Sequence, residues 1–235
     1  MESFTAILAE ALGLILSGDQ AVIDIVLLSL RVTLTAVVLA CLIGLPLGAM
    51  VGAFRFPLRT AVIVTMNTMM GLPPVVVGLV VYLMLSAAGP LGPLALLYTA
   101  TAMVIAQTIL VTPIVAALTR QVVEDLNEEY AEQFASMGIG PVRRIMALLW
   151  DARYSLLTVA LAGFGRAAAE VGAVIIVGGN INHVTRVMTT TIALETSKGN
   201  LQLALALGLV LLVIAVVVNG LVYAIRGSAT RAAYA

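Results

Sequence analysis

Charge is what this chain has least of. Only 10% of its 235 residues are Asp, Glu, Lys or Arg and 62% are hydrophobic, whereas about a quarter of a soluble domain is charged. The mean hydropathy is +1.13. So little polar surface cannot cover a water-soluble globule, and the chain reads as an integral membrane protein. Its 12 basic and 12 acidic residues cancel, which leaves no charge excess for a nucleic acid or another polyanion. Aromatics make up 5%, and the Ala, Val, Leu and Gly that take their place suit close helix packing in lipid. The single cysteine, Cys41, excludes an internal disulfide. The single histidine, His183, has no second His or Cys beside it, so no metal site is expected. Neither Gly-x-Ser-x-Gly nor His-Glu-x-x-His occurs, and with one His most acid–base schemes are closed, so an intramembrane hydrolase fits poorly. The single lysine, Lys198, lies in no phosphate loop. Gly163-Phe164-Gly165 sits in an apolar stretch with no strand before it and is no dinucleotide fingerprint. No basic n-region follows Met1-Glu2, so no cleavable signal peptide is expected and the first span would direct insertion.

The few charges are concentrated. Residues 60–119 carry none, and then Arg120, Glu124, Asp125, Glu128, Glu129, Glu132, Arg143, Arg144, Asp151 and Arg153 crowd into 120–153. A membrane protein that gathers its charges in one internal segment is presenting that segment to something in water. On either side, apolar runs reach the ~20 residues that a span needs. The chain reads as all-α with five spans, at about 32–54, 60–87, 94–118, 154–177 and 201–225. The second and third are divided by Gly89-Pro90-Leu91-Gly92-Pro93, a turn cluster. Residues 1–20, with Phe4, Ile7, Leu8, Leu12 and Ile15, read as an amphipathic surface helix preceding a permease-like domain over 21–225; a sixth span is the alternative. Arg55, Arg59, Arg120, Arg143, Arg144, Arg153, Arg226 and Arg231 all fall on one side if the N-terminus is outside and the tail 226–235 is cytoplasmic. The charged segment 120–153 is then cytoplasmic.

Within that segment Val123, Leu126, Tyr130, Phe134 and Met137 recur at three- and four-residue steps, which predicts one apolar helix face. Gly138 is a helix C-cap candidate, and Gly140-Pro141 opens a second helix with Pro141 in its first turn. Arg166 and Glu170 are the charges deepest in a span, and their spacing of four predicts a shared helix face. They read either as a self-neutralised pair that locks the span to its neighbours or as an element of a pathway or gate for an anion. Pro73-Pro74, flanked by Gly71 and Gly78, interrupts the second run; it reads as a plain kink or as a constriction. Residues 180–200 form an outer loop with Asn180, Asn182, His183, Thr185, Arg186, Thr189, Thr190 and Thr191. Hydroxyls, amides and cations of this kind suit a tetrahedral oxyanion, a docking protein, or simple solvation.

These residues resemble the transmembrane subunit of a type I ABC importer. That family carries a cytoplasmic loop of Glu-Ala-Ala, three residues and Gly; here Glu132 and Gly138 take the Glu and Gly positions, while Gln133-Phe134 replace Ala-Ala and Leu148-Leu149-Trp150-Asp151 replaces the usual closing Leu-Pro. Leu72-Pro73-Pro74-Val75-Val76-Val77-Gly78 and Gly165-Arg166-Ala167-Ala168-Ala169-Glu170-Val171-Gly172 are similar to the molybdate/tungstate branch. The run from Thr185-Arg186-Val187-Met188-Thr189-Thr190-Thr191 to Ser197-Lys198-Gly199-Asn200 is most like tungstate permeases. The resemblance implies a homodimer in the cell membrane and two cytoplasmic ATPase subunits that carry ATP and Mg²⁺. Each ATPase would grip one copy of a coupling element with Glu132, Ala135, Gly138, Pro141, Val142, Arg143 and Arg144. It also implies an external protein that delivers an oxyanion, tungstate first, with molybdate, sulfate or phosphate as alternatives. This chain would bind no cofactor and catalyse no reaction. An ion-coupled carrier working alone would need more intramembrane ionisable groups than one pair.

Overall fold

The computed structural model describes residues 4–233, with side chains for 5–225. Among the described residues it is helical, with no strand: α1 (Phe4–Leu16), α2 (Gln20–Ala53), α3 (Arg59–Met70), α4 (Pro74–Leu85), α5 (Ala100–Glu129), α6 (Ala131–Ser136), α7 (Pro141–Asp151), α8 (Arg153–Ala168), α9 (Gly172–Gly178), α10 (Met188–Lys198) and α11 (Leu201–Ala233). A short 3-10 turn, Gly92–Leu94, lies in the predicted Gly/Pro turn. Helices α2, α5 and α11 are long and apolar enough to cross a membrane; counting α3 with α4 and α7 with α8 as one bent span each raises the number to five. The side chains of Phe4, Arg226 and Arg231 lie outside the described residues.

Several boundaries move from where the apolar runs put them. Helix α2 begins at Gln20 rather than near 32, because Asp19 caps it: its Oδ1 accepts the backbone N–H of Ala21 at 2.8 Å and of Val22 at 3.3 Å. Asp24 and Arg31 are thus carried inside the helix. The run 60–87 is broken rather than kinked. Gly71 to Pro73 leave the helix, and Pro74 restarts it at the first helical position. The run 154–177 is also broken, with α8 ending at Ala168 and α9 starting at Gly172. A helix, α10, occupies most of the expected outer loop. Helix α11 continues past 225 to Ala233 through most of the expected tail. In α1, Ala11 is buried while Leu12 and Leu16 are exposed.

The chain divides into two compact units. The first comprises 1–35, 73–107 and 168–219, and the second 36–72, 108–167 and 220–235. In the first unit, α4 and α9 lie against each other where a Cβ on Gly78 would come within 2.7 Å of Ala173 Cα. Val22 and Ile25 of α2, Met188 of α10 and Leu207 of α11 form its buried cluster. Ser29 Oγ accepts the Met188 backbone N–H at 2.7 Å and so fixes the start of α10 on α2.

In the second unit, α2 presents Gly44, Gly48 and Gly52 at four-residue spacing to α5. A Cβ at Gly48 would lie 2.3 Å from the Ala116 carbonyl oxygen, and one at Gly52 2.7 Å from that of Arg120. The backbones approach as closely as small-residue helix seams in lipid allow. Beyond this seam Ala49 and Ala53 of α2, Val123 of α5 and Leu148 of α7 are buried together, with Phe54, Leu126, Tyr130, Phe134, Ile145 and Leu149 around them.

Candidate functional site

The hairpin of α6 and α7 is built from that second cluster outward. Its hinge forms as the glycine predicted. Gly138 adopts φ +60, its N–H donates to Ala135 O at 3.3 Å, and the Ile139 N–H donates to Phe134 O at 3.2 Å. This is the paired bonding of a helix closed by a left-handed glycine. Gly140 then precedes Pro141 at the first position of α7. The predicted single apolar face is interrupted: α5 ends at Glu129 and α6 starts at Ala131. Val123, Leu126, Tyr130 and Phe134 still converge on Leu148, but Met137 is 72% exposed and leaves that face.

Two side chains, Tyr130 and Arg144, hold the hairpin down through polar contacts. Tyr130 Oη donates to Asp151 Oδ2 at 2.8 Å, and that carboxylate keeps the phenol protonated above its ordinary range. Arg144 Nε donates to Asn127 Oδ1 at 2.7 Å, and its guanidinium lies 5.4 Å from the centre of the Phe134 ring. Arg153 stacks 4.9 Å from the Trp150 ring and 4.6 Å from the Tyr154 ring. Arg144 therefore faces the protein, whereas Glu132, Ala135, Gly138, Pro141, Val142 and Arg143 are exposed.

Of the outer face of α7, Val142 was singled out from the sequence but Met146 and Trp150 were not. Val142, Met146 and Trp150, four residues apart, are 68%, 66% and 72% exposed. A helix pinned on one side by Leu148, Ile145 and Leu149 thus turns an apolar stripe, flanked by Arg143, to the outside. An exposed apolar stripe of this kind marks a surface for protein or membrane contact. The four-residue spacing was legible in the sequence, but that face competes with the inner one for the same helix.

The gate candidates lie elsewhere. Glu170 falls beyond the end of α8, so its spacing of four from Arg166 does not put the two on one helix face. Burial is nearly complete for Glu170, whose Oε1 accepts the Ala173 N–H at 3.0 Å at the start of α9. Its carbonyl accepts the Thr189 hydroxyl at 2.9 Å. Arg166 is half-buried near the end of α8. Pro73 precedes α4, and its carbonyl accepts the N–H groups of Val76 and Val77.

In the segment 178–200 the hydroxyls turn inward. Thr185 and Thr190 are fully buried and Thr191 nearly so. Thr185 Oγ1 donates to Gly178 O at 2.5 Å and accepts the Ile181 N–H at 2.9 Å. Thr190 Oγ1 lies 2.9 Å from Asn180 Oδ1, and Thr191 Oγ1 donates to Val187 O at 2.7 Å. Asn182 and His183 remain at the surface, with Asn182 Oδ1 accepting from Arg186 Nη1 at 3.1 Å. At the far end of α10, Glu195 Oε1 accepts from Lys198 Nζ at 2.8 Å and Oε2 from Asn200 Nδ2 at 3.0 Å. The lysine, and then the amide, hold this buried carboxyl below its usual range. Among the described residues no group of His, Cys, Asp and Glu could hold a metal ion.

A protein of long apolar helices fit to cross a membrane defines a class, and comparison with known proteins gives it a family. The family model for the binding-protein-dependent transport system inner membrane component matches residues 44–230, and the chain belongs to this family of multi-pass membrane proteins. Within it, the chain is 40% identical to the tungstate uptake system permease protein TupB of Peptoclostridium acidaminophilum over 92% of its own length and 95% of the relative's. It is 37% identical to the protein of the same name from Campylobacter jejuni subsp. jejuni, over 92% and 91%. A probable anion ABC transporter permease protein of Haloferax volcanii is 39% identical over 85% and 88%.

Proposed function

We propose that this chain is the transmembrane subunit of an ATP-driven ABC importer for tungstate. Two copies form the path, two cytoplasmic ATPase subunits power it, and an external binding protein delivers the anion. The exposed Val142–Met146–Trp150 stripe on a hairpin fixed to α2 and α5 is the observation that carries this reading. The likeness to tungstate permeases over nearly the whole chain supports the substrate.

In this reading α7 is the coupling helix of a five-span core whose N-terminus is outside. It seats in a cleft of the ATPase, with Met146 and Trp150 as apolar anchors and Arg143 at the rim. ATP and Mg²⁺ bind on the ATPase, and this chain supplies no group to hydrolysis. When ATP draws the ATPases together, each hairpin moves as one body with the ends of α2 and α5, because Leu148 is buried among Ala49, Ala53 and Val123. That displacement opens the outer side, and hydrolysis resets it. Along the path, Arg166 and Glu170 contribute opposite charges, which lower the barrier for a dianion without trapping it. Pro73 and Pro74 lie at the constriction between copies. At the outer surface Asn182, His183 and Arg186 face the delivering protein, which makes most of the choice between anions.

The test is ATP hydrolysis by the chain reconstituted with its ATPase and binding protein. Stimulation by tungstate above molybdate and sulfate is the expected result. Stimulation by one of the other anions keeps the class and replaces the substrate. Uptake that follows the membrane potential without an ATPase refutes the proposal.

A further inference from the structure

Arg59 opens α3, and its guanidinium reaches in two directions. Nε donates to the Val51 carbonyl near the end of α2 at 2.9 Å, and Nη2 donates to Glu124 Oε1 on α5 at 2.6 Å. The other carboxylate oxygen of Glu124 accepts from Arg120 Nη1, one turn back on α5. The Arg59 guanidinium thus joins α3 to both α2 and α5, and the Glu124 carboxylate holds its α5 side. The side chains of Arg59, Glu124 and Arg120 are only 21%, 28% and 13% exposed. This is a partly desolvated clasp rather than a surface pair of little consequence.

Its place in the unit matters more than its strength. The preceding residue, Val123, is fully buried in the cluster that anchors the hairpin. Successive residues on a helix point about 100° apart. Position 123 therefore meets the hairpin and the end of α2, while position 124 holds α3. Besides the Arg59 bond to the Val51 carbonyl, the link from α2 to α3 is the stretch 54–58, where Leu58 takes φ 67, a left-handed conformation uncommon for a residue with a side chain. Helix α3 in turn leads directly into the break at Gly71–Pro73. The clasp also holds two guanidiniums on one carboxylate, so removing Glu124 leaves like charges facing each other.

We infer that Glu124 is a positioning residue for energy coupling. It makes α3 move with α2 and α5 when the hairpin is displaced, so the displacement reaches the Gly71–Pro73 break instead of being lost in the 54–58 turn. This inference rests on the hairpin being the ATPase docking element. A purely structural role would lower yield and melting temperature but leave the tungstate imported per ATP unchanged, whereas a coupling role changes that ratio.

The experiment uses the full complex with its ATPase and binding protein in proteoliposomes, reading ATP hydrolysis and tungstate uptake together. Glu124→Ala, Glu124→Gln and Arg59→Ala should retain the ATPase subunit and hydrolyse ATP, while tungstate imported per ATP falls about fivefold or more, the lower end of typical coupling between sites. Glu124→Asp, which keeps the charge, should recover much of the ratio. If Glu124→Ala does not fold, Glu124→Gln and Glu124→Asp give the same comparison. An unchanged ratio in Glu124→Gln, or an aspartate no better than glutamine, overturns the inference alone. A wild-type chain that retains no ATPase overturns it together with the proposed function.

Discussion

The hairpin of α6 and α7 and the outer segment 178–200 are both short-helix elements, yet they handle their polar and apolar groups in opposite ways. The hairpin uses its charges against its own structure, Arg144 on Asn127 and Phe134 and Arg153 on Trp150, and leaves Val142, Met146 and Trp150 outside. The outer segment buries Thr185, Thr190, Thr191 and Glu195 and satisfies them locally. One surface leaves large apolar side chains exposed. The other closes its buried polar groups on itself and exposes the turn around Asn182 and His183 and the end of α10. The comparison separates a surface that leaves apolar groups outside from one that satisfies its polar groups within itself.

The strongest way to break this contrast is at Gly138. Gly138→Pro replaces φ +60 by the proline angle and removes the N–H donated to Ala135, so the chain should still reach the membrane but lose uptake altogether. Uptake near the wild-type rate would remove the hinge from the account. Next is Trp150→Ala. Because the ring is exposed, folding should change little, while affinity for the ATPase should fall by about 2 kcal/mol, as for an interface anchor; titrating the detergent-solubilised chain with the ATPase measures this.

Thr185→Val should do the reverse. It orphans the Ile181 N–H and one acceptor bond, costing about 1–3 kcal/mol of stability, with ATPase affinity unchanged. A melting curve beside the same titration reads both. The smallest effect is acid sensitivity at Glu195. Its carboxyl is held below the usual range in the folded state, so its stabilisation is complete above the unfolded carboxylate value and fades as pH falls through the lowered one. Melting temperatures of wild type and Glu195→Gln should converge as pH falls through that window.

The turn between α6 and α7 was legible because its signals are local: Gly138 and Pro141 carry their own backbone preferences. The apolar runs also found α2, α5 and α11. Where the reading failed, side chains had altered the backbone beyond the reach of a run-length count. Asp19 starts α2 early by capping it, and the Glu170 carboxylate at the Ala173 N–H marks a new helix where an unbroken one was expected. Periodicity also continued smoothly across the break at Tyr130, so Met137 was assigned to a face it does not share. The polar residues of the outer segment were correctly noticed, but spacing alone does not tell a hydroxyl that reaches a ligand from one that caps its own loop. Glu124 went unremarked because its partner Arg59 lies 65 positions away.

Trp150 is the chain's single tryptophan, which gives the central claim a direct probe. With 5-fluorotryptophan incorporated in this chain alone, the one ¹⁹F resonance should shift when the ATPase is added, and a soluble paramagnetic quencher should lose access to it. A resonance that stays in place and fully accessible while the complex forms would mean that the exposed stripe on α7 is not the docking surface, and the account of coupling built on it would be wrong.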